Sequence, residues 1–325
     1  MRPFESFMAK NMDAFAAYRR QRGYAQERIN QPLIAFDRYL TVHDVTWDQM
    51  LQPKFFLQLR TDISDHPNTV NKILSGLRSL FDYLVRRQIL TANPLKDIPP
   101  VPERYFVPFV FSPKQTDWLL KAVCAAIRRE PANFVFDQGV YLAVVMLARC
   151  GMRINEPLRL GRHHYRPDEG SVYIERTKFR KDRLIPLPKA VLPELDNYLA
   201  VRKECCPDEQ NPYLLAARKG QPLKEDRVRR VFHRAVEAIG LKQPKRAMGN
   251  MTFGSPVPHS LRHAFAINTL NRIKARGISP QQALPVLAAY MGHRKYQYTA
   301  AYLKVKDAGD LAGLIDFTKS QLDVV

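Results

Sequence analysis

Four short stretches of this 325-residue sequence carry side chains suited to phosphoryl transfer. CGMRINEPLRL holds Arg153 and, three residues on, Glu156; RTKFRKDRLIPL holds Lys178. PHSLRHAFA places His259 and Arg262 at i, i+3, hence on one face of any helix. MGHRKYQYTAAYLKV holds His293 and, nine residues later, Tyr302. Phosphoryl transfer needs an in-line nucleophile, charge stabilisation on the non-bridging oxygens and a proton for the leaving oxygen. Two arginines offer planar donor forks that match a phosphate. Histidines donate to phosphate oxygens or relay protons near neutrality. A lysine on a hairpin can reach a leaving oxygen. A tyrosine hydroxyl, with a free pKa of about 10, needs cations and a base around it to attack. Nothing in this set calls for a cofactor or a metal.

The elements that must position these groups are readable in outline. Val70, Ile73, Leu74, Leu77, Leu80, Phe81 and Leu84 form one apolar helical stripe, with Arg78, Arg86 and Arg87 off it. Thr46 and Gln49 have the spacing of a capping box. Residues 10–40 supply two more helices, with Pro32 expected at a start or a kink. From Asn93 to Pro113 there are six prolines and little periodicity, which predicts a semi-rigid connection. Beyond it, residues 114–129 and 137–149 read as helices, with Gly151 at a left-handed cap. Ser171–Arg176 and Asp182–Leu187 read as paired strands joined by 177–181. Residues 225–239 return to helix: Val228, Val231, Phe232, Ala235 and Ile239 lie on one face and Arg227, Arg230 and Arg234 on another. The expected domains are residues 1–95, a linker 96–113, and residues 114–325.

Fifty-one Lys and Arg against 31 Asp and Glu give +20, of which residues 1–110 carry +4 and residues 111–325 the remaining +16. Such a charge points to a polyanion, because each neutralised phosphate releases condensed counterions. No apolar run approaches the roughly 18 residues needed to span a bilayer, and no membrane-surface segment stands out at either end. The first residues lack the continuous apolar core of a secretory signal. The expectation is a cytosolic chain in contact with the nucleoid, its four cysteines reduced, with no zinc or redox spacing among them.

The order Arg, Lys, His-x-x-Arg, Gly-His and Tyr resembles the tyrosine recombinases, or phage integrases. GMRINEPLRL is similar to that family's first arginine box, HSLRHAFA to its second, and MGHRKYQYTAAYLKV to its tyrosine box. The likeness is strong over residues 140–305 and weaker over 10–100. It implies an all-α N-terminal core-binding domain and a mixed, mainly α catalytic domain with a small β-sheet, closing on double-stranded DNA. It further implies that Arg153 and Arg262 clamp the scissile phosphate and that His259 assists proton transfer at the tyrosine. His293 would bond a phosphate oxygen, Lys178 would protonate the leaving 5′-hydroxyl, and Tyr302 would form a covalent 3′-phosphotyrosyl link. Glu156 would orient its neighbours. Neither metal nor ATP is implied. Four protomers would work on two DNA sites, with a tail bearing Leu311, Leu314 and Ile315 docked on a neighbouring protomer. No further DNA-binding domain is expected before residue 10. Where the family often has Asp after the box histidine, this chain has Ser260.

Taken singly, each residue has a plainer explanation. Arg153 and Glu156 could be a surface ion pair worth a few tenths of a kcal/mol, and Lys181 competes with Lys178. Tyr296 and Tyr298 compete with Tyr302, which the spacing in the family selects. His259 and His263 at i, i+4 could bind metal, but the Glu of an H-E-x-x-H site is missing. Arg227, Arg230 and Arg234, like Arg78 and Arg86, are either a solvated face or contacts to DNA. A DNA-binding protein of the same descent that no longer cuts, and a relative that relaxes supercoils or resolves hairpin ends, are the competing functions. Target sequence and biological role are not written in the chain.

Overall fold

The computed structural model describes residues 3–25, 27–64, 66–102, 105–175, 182–207, 210–217, 220–249, 251–293 and 299. The chain divides into two compact units, Met1–Tyr105 and Phe106–Val325, so the expected linker 96–113 is shared between them.

The first unit contains five helices among its described residues: α1 (Ala9–Gln21), α2 (Glu27–Val42), α3 (Trp47–Met50), α4 (Pro53–Asp62) and α5 (Pro67–Arg86). All seven residues of the α5 stripe are buried, as an amphipathic helix in a small bundle requires. Thr46 and Gln49 form the expected reciprocal cap. Pro32 neither opens nor ends a helix: it lies inside α2. A Cβ at Gly76 of α5 would fall 2.6 Å from the Pro32 ring, so glycine permits this close crossing. The proline-rich stretch is tied down where it leaves α5. Arg78 donates to the carbonyls of Leu95 and Ile98, Asn71 bonds both the N–H and the carbonyl of Val101, and Leu95 and Ile98 are buried in the unit's core.

The second unit is built around α7 (Pro131–Arg149), which packs against α6 (Pro113–Ala125), α9 (Leu192–Cys205), α10 (Glu225–Ala238) and α11 (Pro258–Ala275). Leu142 to Ala148 are buried without a break, the pattern of a helix covered on every side. α7 starts at Pro131, six residues before the expected start, because proline at the first position is pre-set for a helix. Gly151 follows it at φ 60°, the left-handed position expected. The short helix α8 (Asn155–Arg159) comes next. Strands β2 (Tyr165–Arg166), β3 (Ser171–Ile174) and β4 (Arg183–Pro186) form an antiparallel sheet in which Val172 faces Ile185 and Ile174 faces Arg183. A second sheet has the order β1 (Tyr105–Val107), β6 (Met251–Phe253), β5 (Arg246–Met248). After α11, α12 (Pro280–Met291) ends at Gly292. Among the described residues no helix is long and apolar enough to cross a membrane.

Candidate active site

The site is assembled at the C-terminus of α12. The last carbonyls of any helix lack intrahelical partners and carry the negative end of its dipole. Here three consecutive ones are each taken by a guanidinium from elsewhere in the chain. Tyr290 O accepts from Arg183 Nε (2.8 Å), Met291 O from Arg262 Nη2 (2.5 Å) and Gly292 O from Arg153 Nη2 (2.9 Å). Gly292 is in the left-handed region (φ 63°), and a Cβ there would lie 2.9 Å from Arg183 Nη1, so the turn demands glycine twice over.

Arg262 reaches this point from the first turns of α11. Pro258 opens the helix, and Ser260 caps it by accepting the Val257 N–H on Oγ and donating its own N–H to Val257 O. Ser260 is therefore a helix-start residue, and its replacement of the family's frequent Asp has a local structural account. Leu261, Ala264 and Ile267 bury the helix, and Arg262 is 1% exposed. Its second fixed donor, Nη1, bonds Gly151 O at 2.6 Å, so the left-handed turn after α7 supplies an acceptor.

Arg153 sits at the start of the α8 turn. Glu156 holds it at two points: Oε1 accepts from Nη1 (2.9 Å) and Oε2 from the Arg153 backbone N–H (2.8 Å). Glu156 Oε2 also accepts from Arg183 Nη2 at 2.8 Å. The i, i+3 pair of Arg153 with Glu156 is not a freely solvated surface ion pair, since the two side chains are 24% and 10% exposed and Glu156 is shared with Arg183, itself 8% exposed. Burial alone would raise the Glu156 pKa; the Arg183 and Arg153 contacts outweigh it and hold the carboxyl below its ordinary value. The carboxylate is thus ionised wherever the arginines need it.

Burial and neighbouring cations push the pKa values of three histidines here, His259, His263 and His293, below the ordinary value. His259 keeps an exposed edge while protein crowds the rest of its ring; that crowding, then Arg262, Arg153 and Arg229, pushes its pKa down to about 4. His263 stands edge to face with it at 4.6 Å and falls to about 3, through burial and then His259 and Arg262. His293 falls to about 4 through burial, then Arg262 and Arg153. His293 Nε2 lies 3.1 Å from Arg262 Nη2, and an arginine can only donate, so Nε2 accepts. The ring proton is then on Nδ1, donated to Thr299 Oγ1 at 2.7 Å. In this tautomer His293 has no proton to give a phosphate oxygen from Nε2 until one is acquired there, which an arriving phosphate charge favours. Three buried or half-buried cations and a neutral base are suited to binding a phosphodiester and taking a proton from a hydroxyl.

Of the residues singled out in the sequence, Arg153 pairs with Glu156 and Arg262 with His293, the two arginines reaching adjacent carbonyls at the end of α12, and His259 lies within the field of both arginines. Lys178 and Lys181 lie outside the described residues, as do Tyr296, Tyr298, Tyr302, Leu311, Leu314 and Ile315. The three α10 arginines differ from one another. Arg227 donates to Asp137 at 3.1 Å and lies over the Phe136 ring, whereas Arg230 and Arg234 are exposed. Arg86 is exposed, while Arg78 spends its donors on backbone carbonyls. Arg183 was not among the singled-out residues. Its signal was alternation: it shares the inward register of buried Ile185 and Leu187, an uneconomical place for an unpaired cation. Among the described residues no group of three or more His, Cys, Asp or Glu is arranged to hold a metal, and the four cysteines are unbridged.

Residues 114–308 match the phage integrase family. A putative integrase/recombinase of Sinorhizobium fredii is 26% identical over 303 residues, covering 93% of each chain. The tyrosine recombinase XerD of Proteus mirabilis is 27% identical over 279 residues, 84% of this chain and 80% of its own. Among solved structures, a lambda integrase tetramer bound to a Holliday junction superposes with a TM-score of 0.60 at 18% identity, covering 88% of this chain and 77% of that one. At that identity the likeness speaks for the fold, a helical unit followed by a mainly helical one with small sheets. The four motifs, the fold and the match over most of the second unit agree: this chain belongs to the phage integrase family, the tyrosine recombinases.

Proposed function

We propose that this chain is a site-specific DNA recombinase that cuts and rejoins strands through a 3′-phosphotyrosyl intermediate, without metal or ATP. The observation that carries this reading is the convergence of Arg153 and Arg262 on adjacent carbonyls at the end of α12, with His293 against Arg262. Their guanidinium groups would bind the non-bridging oxygens of the scissile phosphate. Neutral His259 would accept the proton of the Tyr302 hydroxyl as its oxygen bonds to phosphorus. The bond from phosphorus to the 5′-oxygen breaks, and Lys178 gives that oxygen a proton. Religation is the reverse, with a 5′-hydroxyl of the partner strand attacking the phosphotyrosyl and the proton returning to the tyrosine. The phosphoester bond energy is conserved throughout, so no nucleotide is consumed.

In this reading each unit contacts duplex DNA, the second through exposed Arg230 and Arg234 of α10 and the first through exposed Arg86 of α5. Four protomers would act on paired sites in the cytoplasm, at the nucleoid. The tail with Leu311, Leu314 and Ile315 would dock on a neighbouring protomer. An apolar groove of ≈ 1440 Å³ in the second unit, lined by Leu120, Phe265, Val286, Leu287 and Tyr290, supports that docking. Truncation after Lys306 is expected to abolish tetramer assembly on DNA; normal assembly would reject tail docking.

The test is covalent trapping on a nicked suicide substrate drawn from the ends of the native genetic element, with chelator present. An SDS-resistant adduct lost in Tyr302→Phe is expected. A persistent adduct would move the nucleophile to Tyr298 or Tyr296. Binding without any adduct would make the chain a DNA-binding relative that does not cut.

A further inference from the structure

We propose that Arg183 is a positioning residue of the strand-transfer site, acting through Glu156 and the end of α12 to hold Arg153 in place; the inference rests on the reading above. Arg183 begins β4, directly after the segment that carries Lys178, and its side chain turns inward with those of Ile185 and Leu187. It does not lie on a surface where a cation is free of consequence: the side chain is 8% exposed. Burying a guanidinium is costly unless its donors are met; Nε and Nη2 have acceptors while Nη1 is buried without one among the described residues, so the two bonds that are made must hold the group firmly.

Its two contacts are to the two groups that also hold Arg153. Nη2 donates to Glu156 Oε2, the same oxygen that accepts the Arg153 backbone N–H, and Nε donates to Tyr290 O, two residues before the Gly292 carbonyl that accepts from Arg153 Nη2. Arg153 is therefore held at one end by a carboxylate and at the other by a helix terminus, and Arg183 bridges those two supports. Nη1 of Arg183 packs against Gly292, where there is no room for a Cβ. Removing the guanidinium leaves Glu156 with one cation instead of two and leaves Tyr290 O without this donor. Arg153 then keeps its chemistry but loses its aim. A misplacement of about 1 Å costs on the order of 10²-fold in rate when a reacting geometry is preorganised.

The experiment measures DNA affinity and the single-turnover rate of adduct formation for wild type, Arg183→Gln, Arg183→Lys, Glu156→Gln and Arg183→Gln with Glu156→Gln. The expected result for Arg183→Gln is DNA affinity within about threefold of wild type and adduct formation slowed on the order of 10–100-fold. Arg183→Lys, which reaches one of the two acceptors, should fall between, and it serves as the probe if the Gln variant does not fold. Because the two residues share the Arg183–Glu156 contact, while each also keeps a contact of its own, the losses in the double variant should be less than multiplicative. A substrate with sulfur in place of the bridging 5′-oxygen has a leaving group that needs no proton. It should restore Lys178→Ala but leave Arg183→Gln slow, since the defect is in the phosphate clamp. An undiminished rate in Arg183→Gln overturns the proposal, as do multiplicative losses in the double variant or full restoration by the sulfur substrate. No adduct with the wild-type chain would instead reject the strand-transfer reading itself.

Discussion

Replacing Gly292 with alanine tests whether the turn after α12 organises the site. The new methyl meets two separate obstacles. A left-handed conformation costs an L-residue about 1–2 kcal/mol relative to glycine. Gly292 is there at φ 63°. The methyl carbon would also lie 2.9 Å from Arg183 Nη1, 3.1 Å from Cζ and 3.3 Å from Nε. That guanidinium cannot swing aside freely, because Nε and Nη2 are bonded to Tyr290 O and Glu156 Oε2 inside the protein. Losing one of these bonds with its partners still buried adds about 1–3 kcal/mol. Gly277 isolates the first obstacle: it has φ 78° with nothing within 4 Å of a built Cβ. Thermal unfolding of the second unit should therefore show Gly292→Ala below Gly277→Ala by roughly 2–12 °C, taking about 2–4 °C per kcal/mol for a unit of this size. Adduct formation on the nicked substrate should be slowed at least about tenfold by Gly292→Ala and be unchanged in Gly277→Ala. Equal midpoints for the two variants, together with an undiminished cleavage rate in Gly292→Ala, would refute the idea that this turn and Arg183 are packed as described.

Arg262→Lys should bind DNA yet form adduct on the order of 10²–10³-fold more slowly, because one ammonium cannot serve Gly151 O, Met291 O and a phosphate together; a single-turnover rate within threefold of wild type would contradict this. Acid should destabilise the fold through the histidines. Their folded pKa values of about 4, 3 and 4 lie below the ordinary value of 6.5, so the unfolded chain binds more protons between those limits. Their stabilising contribution is present above pH 6.5 and is lost as pH falls toward 4. Thermal midpoints measured from pH 7 to 4 should fall, and His263→Gln should flatten that fall. Charge reversal at exposed Arg230 should weaken DNA binding and reduce the slope of log K against log salt by roughly 1, the share of one phosphate contact; an unchanged affinity and slope would remove α10 from the DNA interface.

Much of this molecule is local and therefore legible in the sequence. The α5 stripe, the Thr46 cap, the β3–β4 hairpin and the left-handed Gly151 each depend on residues within a few positions of one another, and each appears where periodicity or turn chemistry places it. The identities of Arg153, Glu156, His259, Arg262 and His293 are likewise carried by short motifs. Pro32 and Arg78 show where local reasoning ends: one is accommodated by a glycine on another helix, the other is consumed by carbonyls 17 and 20 residues away. Tertiary structure alone decided how the site is held. Arg153, Arg183 and Arg262 meet at carbonyls 139, 107 and 29 residues distant. Those acceptors are backbone atoms, which every residue possesses and no sequence pattern marks. The protonation of His293, the role of Arg183 and the double duty of Glu156 all follow from that meeting point, because hydrogen-bond geometry and burial exist only once distant segments have been brought together.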